Sequence, residues 1–214
     1  GNTLPNGRVG NGYEHELFRV NIPTGRVTPL TRDFDPSVDH VQYHAKGKAF
    51  YILADNGSRQ SLYRLDVKTN KITQIDTKED VVRGFGVASH GNTFYYFGQS
   101  LNNADRLYSL EASGKSKLIW DISAEKLRGV KFIPAKDFVY RTPDGVDIDG
   151  WYYLPPNFDP SKKYPMIVYY YGGTIPLSRE LETTYDLAMF AAQGYVAYSL
   201  NPRGTVGYGQ SFAA

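Results

Sequence analysis

The sequence contains no cysteine, and this absence excludes several kinds of chemistry at once. A chain without thiols forms no disulfide, offers no thiolate ligand to a metal ion and has no cysteine nucleophile. Histidine is also scarce, and no two histidines stand at metal-ligand spacing with a carboxylate partner. The sequence therefore predicts neither a metal ion nor any other cofactor. The histidines are His15, His40, His44 and His90.

An excess of charge of one sign and long apolar runs are missing as well. The 24 Lys and Arg residues nearly balance the 22 Asp and Glu residues, so the net charge of +2 gives no reason to expect nucleic acid as a partner. No apolar run approaches the roughly 18 residues of a membrane-spanning helix. Tyrosine and glycine are abundant instead, with 18 and 21 residues, and this combination favours strands and turns over a helical bundle.

A repeat runs through the first part of the chain. The motifs Leu17–Val20, Leu62–Leu65 and Leu107–Leu110 are near copies that begin 45 residues apart, and each is followed by a turn and a second short strand. Gly47–Ile52 and Gly91–Tyr96 form another repeated motif, offset by 44 residues. The pattern predicts four strands in every unit and no helix between them, which is typical of a β-propeller blade.

The number of repeats is too small for a closed propeller. Two clear units and one further hairpin precede residue 135, whereas a propeller closes with roughly four to eight blades. We therefore expect residues 1–135 to form the C-terminal part of an all-β propeller that is incomplete in this chain.

The pattern changes after residue 135 to that of an α/β domain. A β-hairpin is predicted around the turn Asp144-Gly145, and Pro155–Pro160 forms a rigid connector after it. Tyr164–Tyr171 follows as a near-continuous apolar segment, which is the pattern of a strand covered on both faces.

A helix and a further strand complete this second pattern. The helix is predicted over Thr183–Gln193, where Thr183 and Asp186 have the spacing of a capping box. The strand is predicted over Tyr195–Leu200. Strand, helix and strand in this order indicate a βαβ crossover in a parallel sheet.

Six short motifs follow the repeat in order. They are Asp144-Gly145, Gly150-Trp151, Leu154-Pro155, Tyr164-Pro165, Tyr171-Gly172-Gly173 and Arg203-Gly204. Their order and spacing resemble the prolyl oligopeptidase family of serine peptidases, which includes dipeptidyl peptidases and acylaminoacyl peptidases. The resemblance implies that residues 136–214 are the N-terminal part of an α/β-hydrolase catalytic domain. It also implies that the complete protein hydrolyses short peptides, with the propeller restricting access, and it leaves a homo-oligomer possible.

The resemblance assigns a role to Tyr171 at the end of the long apolar strand. In family members with tyrosine at this position, the hydroxyl donates a hydrogen bond to the tetrahedral intermediate, so Tyr171 is expected to form part of the oxyanion hole. Gly172 and Gly173 would let the backbone turn without a Cβ clash, and Arg203 would bind substrate or shape the site. The alternatives are a core aromatic role for Tyr171 and a purely structural role for Arg203. Thr174 departs from the family pattern, in which proline or phenylalanine is common.

The resemblance also implies a Ser-Asp-His triad that this chain does not contain. Ser211 gives the nearest match to the Gly-x-Ser-x-Gly nucleophile motif, but the final glycine and the preceding strand are missing. All four histidines lie in the repeat region, whereas the triad histidine comes last in this fold. We expect the triad to follow Ala214 and this segment alone to be inactive.

Two other functions remain open. The same scaffold can carry an esterase or another acyl hydrolase, and a non-catalytic propeller module could bind partners. Glu180 and Glu182 are candidates for binding a substrate amine, although a solvated position before the helix explains them equally well. The compartment is undetermined: the resemblance favours a bacterial periplasm, with the cytoplasm as the alternative.

Overall fold

The computed structural model describes residues 14–88, 93–111, 114–181 and 183–213. Within these ranges the chain is mostly β. It begins with an antiparallel hairpin of strands β1 (Phe18–Val20) and β2 (Val27–Pro29). Gly25, at φ 67°, supplies the left-handed residue in the connecting turn.

Two four-stranded antiparallel meanders follow, with the same strand order. In each meander every strand pairs with the next strand in sequence. A single parallel pair, Gln60 with Val81, joins the two meanders. The strands are β3 (Ser37–His44), β4 (Ala49–Asn56), β5 (Arg59–Asp66) and β6 (Ile72–Gln74), then β7 (Val81–Val87), β8 (Phe94–Ser100), β9 (Asn103–Leu110) and β10 (Ser116–Asp121).

The repeated sequence motif provides the core between the two meanders. Leu62 on β5 and Tyr108 on β9, which occupy the motif in successive units, are both buried in one apolar cluster. Tyr96 on β8 lies in the same cluster, and its ring stacks on that of Tyr108 with 5.0 Å between centroids. Successive copies of the repeated motif therefore bury their apolar side chains in one shared core.

A mixed sheet forms the last part of the described chain. A short helix, α1 (Ile122–Lys126), precedes it. The sheet order is β11-β12-β14-β13, with β13 parallel to β14 and the other pairs antiparallel. Helix α2 crosses between the two parallel strands, so the βαβ crossover is present. The elements are β11 (Lys136–Arg141), β12 (Asp147–Tyr153), β13 (Met166–Tyr169), α2 (Leu187–Ala192), β14 (Val196–Leu200) and α3 (Gln210–Ala213).

The helix begins later than its sequence pattern predicts. Asp186 is the N-cap, and its carboxylate accepts hydrogen bonds from the backbone N–H groups of Ala188 and Met189 at 2.9 and 3.2 Å. The Thr183 hydroxyl instead donates to the carbonyl of Tyr185. An N-cap must reach the second or third helical residue, so Asp186 competes better than Thr183 for the free amides. At the other end, Gly194 follows the helix at φ 98°.

Strand β13 is shorter and more exposed than predicted. The predicted strand covers Tyr164–Tyr171, but only Met166–Tyr169 pairs with β14. Met166 and Val168 are 61% and 45% exposed, because within the described residues helix α2 packs against only one face of the sheet. None of the described helices has the length and hydropathy that crossing a bilayer requires.

Candidate functional site

Tyr171 lies two residues beyond the carboxyl end of β13, next to the loop that follows β14. Its hydroxyl is 3.0 Å from the hydroxyl of Thr205 and 3.3 Å from Oδ1 of Asn201. Since the Thr205 hydroxyl donates to the carbonyl of Pro202 at 2.7 Å, the Tyr171 hydroxyl is the donor in this arrangement. Burial raises the pKa of Tyr171, which keeps its proton in place at neutral pH.

Asn201 holds this region together. Its side chain is fully buried at the end of β14. Oδ1 accepts from the backbone N–H of Leu177 at 2.7 Å, while Nδ2 donates to the carbonyl of Leu177 and the hydroxyl of Tyr208. One amide thus connects the loop after β13 with the glycine-rich loop after β14, which spans residues 202–209. Sequence reasoning missed this role, although a polar residue directly after an apolar strand and before proline was a usable signal.

The network continues into the first part of the chain. The Tyr208 hydroxyl donates to a carboxylate oxygen of Asp149 on β12, and the other oxygen accepts from the Ser58 hydroxyl at 3.2 Å. Burial, together with the negative charge of Asp149, raises the pKa of Tyr208. The glycine-rich loop is therefore anchored to both the mixed sheet and the turn between β4 and β5.

Gly172 and Gly173 are exposed and leave the backbone open after Tyr171. A Cβ at Gly172 would meet no atom within 4 Å, and a Cβ at Gly173 would come no closer than 3.7 Å, to the Tyr171 ring. Crowding therefore does not explain these glycines, in contrast to the expected Cβ clash. Within the described part of the chain, neither N–H has a hydrogen-bond partner.

Arg203 is an exposed residue that ties two loops together. Its guanidinium pairs with Asp144 in the turn between β11 and β12 and lies 3.4 Å from the Thr142 hydroxyl. The hydrogen bond from Arg203 is the main reason that the pKa of Asp144 falls to about 2. No hydrogen bond or ion pair joins Arg203 to Tyr171 in the described residues. Arg203 therefore makes no polar contact with the segment of Tyr171, Gly172 and Gly173.

The glycine-rich loop also binds a buried carboxylate. The N–H of Gly207 lies 2.8 and 3.0 Å from the two oxygens of Glu14, and the N–H of Gly209 donates to the same carboxylate. Gly207 has φ 88°, and a Cβ there would lie 2.9 Å from the carbonyl oxygen of Asp55. Glycine is required at this position because the loop backbone packs directly against the backbone of the β4–β5 turn.

Arg179 fixes the loop between β13 and α2. The residue is only 9% exposed. Its Nε lies 3.3 Å from Asp80, its Nη1 pairs with Asp137 on β11, and its guanidinium lies over the ring of Trp151 at 5.7 Å. Because Asp80 belongs to the first part of the chain and Asp137 to the mixed sheet, Arg179 joins the two. No pattern in the sequence marked it.

A cavity of about 420 Å³ lies between the meanders and the loop after β13. Asp39, Asp55 and Glu180 bring acidic groups to its wall, and His15 and Arg83 bring basic ones. Tyr171 does not line this cavity, although Thr174 three residues later does. The cavity is therefore close to the candidate site in sequence, and the meanders and the loop after β13 contribute equally to its wall.

No family model matches the chain. It is similar in sequence to dipeptidyl-peptidase 5 of Porphyromonas gingivalis, with 30% identity over 207 residues, which covers 94% of this chain and 30% of that relative. Dipeptidyl-peptidase 5 of Aspergillus fumigatus is 26% identical over 211 residues, covering 91% of this chain and 28% of that protein. These matches support the assignment of the chain to the prolyl oligopeptidase family. It spans about 30% of the length of the relatives it matches.

Solved structures show the same fold. Acylaminoacyl peptidase of Pyrococcus horikoshii superimposes with a TM-score of 0.76 at 22% identity, covering 94% of this chain and 30% of that structure. Dipeptidyl peptidase 4 of Porphyromonas gingivalis superimposes with a TM-score of 0.70 at 16% identity, covering 94% and 29%. These superpositions confirm that the chain is mostly β and that it shares its overall fold with these two peptidases.

The other family residues considered from sequence are scattered. Ser211 is exposed in the first turn of α3, and His40 and His44 lie on β3, far along the chain from it. Glu180 lines the cavity of about 420 Å³. His90 and Glu182, like the motif start at Gly91, fall outside the described residues. Within those residues, no three His, Asp or Glu side chains come together in a way that could hold a metal ion.

Asp55 is a partly buried carboxyl in the wall of the cavity of about 420 Å³. Burial, and then the negative charge of Asp39, raise its pKa to about 6. The amide Nε2 of Gln60 joins the two carboxylates, at 3.2 Å from Asp55 and 3.4 Å from Asp39. The carboxylate form of Asp55 is therefore held at a cost to the folded state.

Replacing Asp55 by asparagine is expected to raise the free energy of unfolding at pH 8 by up to about 3 kcal/mol. A raised carboxyl pKa means that the folded state binds the proton more tightly than the unfolded state. Stability is therefore lost as the pH rises from about 4 through about 6, and the gain from Asp55→Asn disappears below pH 4. Urea unfolding at pH 4 and pH 8 measures the difference. Asp33→Asn, at an exposed aspartate, is the control, and an equal effect of both changes at pH 8 contradicts the prediction.

Proposed function

We propose that this chain is part of a serine peptidase that hydrolyses short peptides. The observation that carries the proposal is the 30% identity to a dipeptidyl peptidase over 94% of the chain, together with Tyr171 at the carboxyl end of a parallel strand. Ligands bind at the carboxyl ends of the strands in sheets of this kind. The serine attacks the peptide carbonyl, and a histidine carries the proton to the leaving amine.

We propose that the chain contains parts of two domains. Residues 1–135 form the C-terminal part of a β-propeller, and residues 136–214 form the N-terminal part of the α/β-hydrolase domain. Two observations support this division. The two meanders share one strand order, and the only strand pairing between them in the described residues is Gln60 with Val81, as separate propeller blades would show. The pairing changes at β11 to a mixed sheet with a crossover helix.

Tyr171 is proposed as a hydroxyl donor of the oxyanion hole. The phenol is protonated and held in place by Asn201 and Thr205. If the Thr205 hydroxyl turns from the Pro202 carbonyl toward the phenol oxygen and the phenol leaves Oδ1 of Asn201, the Tyr171 proton becomes available to a substrate oxygen. The exposed N–H groups of Gly172 and Gly173 provide further donors at the same strand end. Hydrogen-bond donors fixed in advance are the largest contribution to stabilising such an intermediate.

Arg203 is proposed to shape the site and not to bind substrate directly. Its pairing with Asp144 fixes the start of the loop that carries Thr205 and Tyr208. Because both partners are exposed, the pair contributes little to overall stability. Its effect is on the position of the loop.

The substrate class is tested with the full-length protein that contains this chain. Three substrates share one chromogenic leaving group: a dipeptide amide with a free amino terminus, an N-acetylated aminoacyl amide, and a simple acyl ester. Preference for the dipeptide amide supports a dipeptidyl peptidase, and preference for the acetylated amide supports an acylaminoacyl peptidase. Hydrolysis of the ester alone supports an esterase on this scaffold, and the absence of all three reactions supports a binding module. The last two results contradict the proposal.

A further inference from the structure

A second cavity lies on the face of the mixed sheet that packs against α2. Its floor is formed by Ser199 on β14, which stands in register with Trp151 on one neighbouring strand and Tyr169 on the other. Residues in register point to the same face of a sheet. A small residue between two large aromatic residues leaves a hollow above it, and the cavity has a volume of about 280 Å³.

The loop after β13 and the first turn of α2 cover this hollow. Pro176, Leu177, Tyr185 and Leu187 line it from above. Tyr171, Gly172 and Gly173 do not border it. An apolar cavity of about 150 Å³ holds a benzene molecule, and drug-sized ligands occupy about 300 Å³ or more. The size of this cavity therefore suits one aromatic ring with a short tail.

Two hydroxyl groups in the cavity have no partner in the described chain. Ser199 is fully buried, and its Oγ makes no hydrogen bond. Tyr153 is 4% exposed, and no hydrogen bond is found for its hydroxyl within the described ranges. A buried hydroxyl without a partner is costly, and more than nine in ten buried polar groups are paired. Such a group, the Ser199 hydroxyl, in an aromatic cavity points to a ligand that carries a hydrogen-bonding group.

Two acidic side chains lie at the cavity border. Glu180 and Asp186 both line it. Burial, and then the negative charge of Asp186, raise the pKa of the Tyr153 hydroxyl to about 12. The carboxylate of Asp186 therefore acts on a group inside the cavity. The positive charge of Arg179, whose guanidinium lies over the Trp151 ring, acts in the opposite direction on the same pKa. Tyr153 stays protonated as a donor, and two carboxylates against one guanidinium favour neutral or cationic ligands over anions.

We propose that this cavity is a binding site for a small ligand with one aromatic ring and a short tail that ends in a hydroxyl or ammonium group. The ring packs between Trp151 and Tyr169, and the tail bonds to the hydroxyl groups of Ser199 and Tyr153. The backbone of Leu177, which lines the cavity, is held by the same Asn201 amide that contacts Tyr171.

Fluorescence of Trp151 provides a direct test. This chain has two tryptophans, and Trp120→Phe, at a position that is 58% exposed, leaves Trp151 as its one tryptophan reporter. Three probes with the same ring are titrated at pH 7.5: phenethylamine, 2-phenylethanol and phenylacetate. The first two are expected to change the Trp151 emission saturably and to raise the melting temperature. Phenylacetate is expected to bind at least tenfold more weakly.

A conservative variant tests the hydrogen bond. Ser199→Ala removes only the hydroxyl and is expected to weaken 2-phenylethanol binding about three- to tenfold, whereas Ser211→Ala, at an exposed serine, leaves it unchanged. Circular dichroism shows whether each variant keeps the fold. The proposal is overturned if no probe gives a saturable change, or if all three bind equally and Ser199→Ala has no effect, which indicates non-specific partitioning only.

Discussion

Tyr171→Phe in the full-length protein is expected to lower turnover about 100- to 1,000-fold, with little change in KM. The loss corresponds to one oxyanion-hole donor, which acts on the transition state and not on the bound substrate. Phenylalanine keeps the ring and removes only the hydroxyl that contacts Asn201 and Thr205. Steady-state kinetics with the preferred chromogenic substrate measure the effect.

The adjacent tyrosine provides a matched control for this change. Tyr170 is 67% exposed, so Tyr170→Phe is expected to leave turnover unchanged. Thr205→Val adds a graded comparison: it removes the hydroxyl that positions the phenol and is expected to cost about tenfold, less than the loss of the phenol itself. Unchanged turnover in Tyr171→Phe would remove Tyr171 from the mechanism.

Asn201→Leu is expected to lower the free energy of unfolding by about 3 to 5 kcal/mol. Leucine has a similar volume but pairs with none of the groups that Asn201 bonds, and each buried polar group left without a partner costs about 1 to 3 kcal/mol. These groups are the backbone N–H and C=O of Leu177 and the hydroxyl groups of Tyr171 and Tyr208. Urea unfolding followed by tyrosine and tryptophan fluorescence gives the difference.

Asn102 is the matched control for this second change. It is exposed in the turn between β8 and β9, so Asn102→Leu is expected to alter stability by no more than about 0.5 kcal/mol. If the two variants unfold at the same urea concentration, Asn201 does not organise the loops as described. A stable Asn201→Leu protein with lower turnover would instead assign Asn201 mainly to positioning Tyr171.

The sequence repeat predicted the strand content of the first part well. Leu62 and Tyr108 fall in the repeated motif, and both lie in the core that joins the meanders. The crossover between β13 and β14 was also predicted, because an apolar strand, a helix and another strand leave few alternatives. The helix start was wrong by four residues, since Thr183 fits a capping pattern but Asp186 is the residue that reaches the free amides.

Burial was harder to predict than secondary structure. Tyr164–Tyr171 is apolar enough to be covered on both faces, yet Val168 is 45% exposed. A single apolar run carries no information on which neighbours cover it. The oxyanion role of Tyr171 and the site-shaping role of Arg203 stay predictions, and the structure adds the partners that each one has.

The sequence by itself determined the repeat, the change to an α/β pattern and the position of Tyr171 close to the end of a strand. These follow from local periodicity and from residues close in sequence. Only the tertiary structure decided that Asn201 bonds Tyr171, that Arg179 joins Asp80 to Asp137, and that Ser199 lies in a hollow between Trp151 and Tyr169. Such contacts join residues far apart in the chain, and strand order and loop packing, which no local pattern specifies, bring them together.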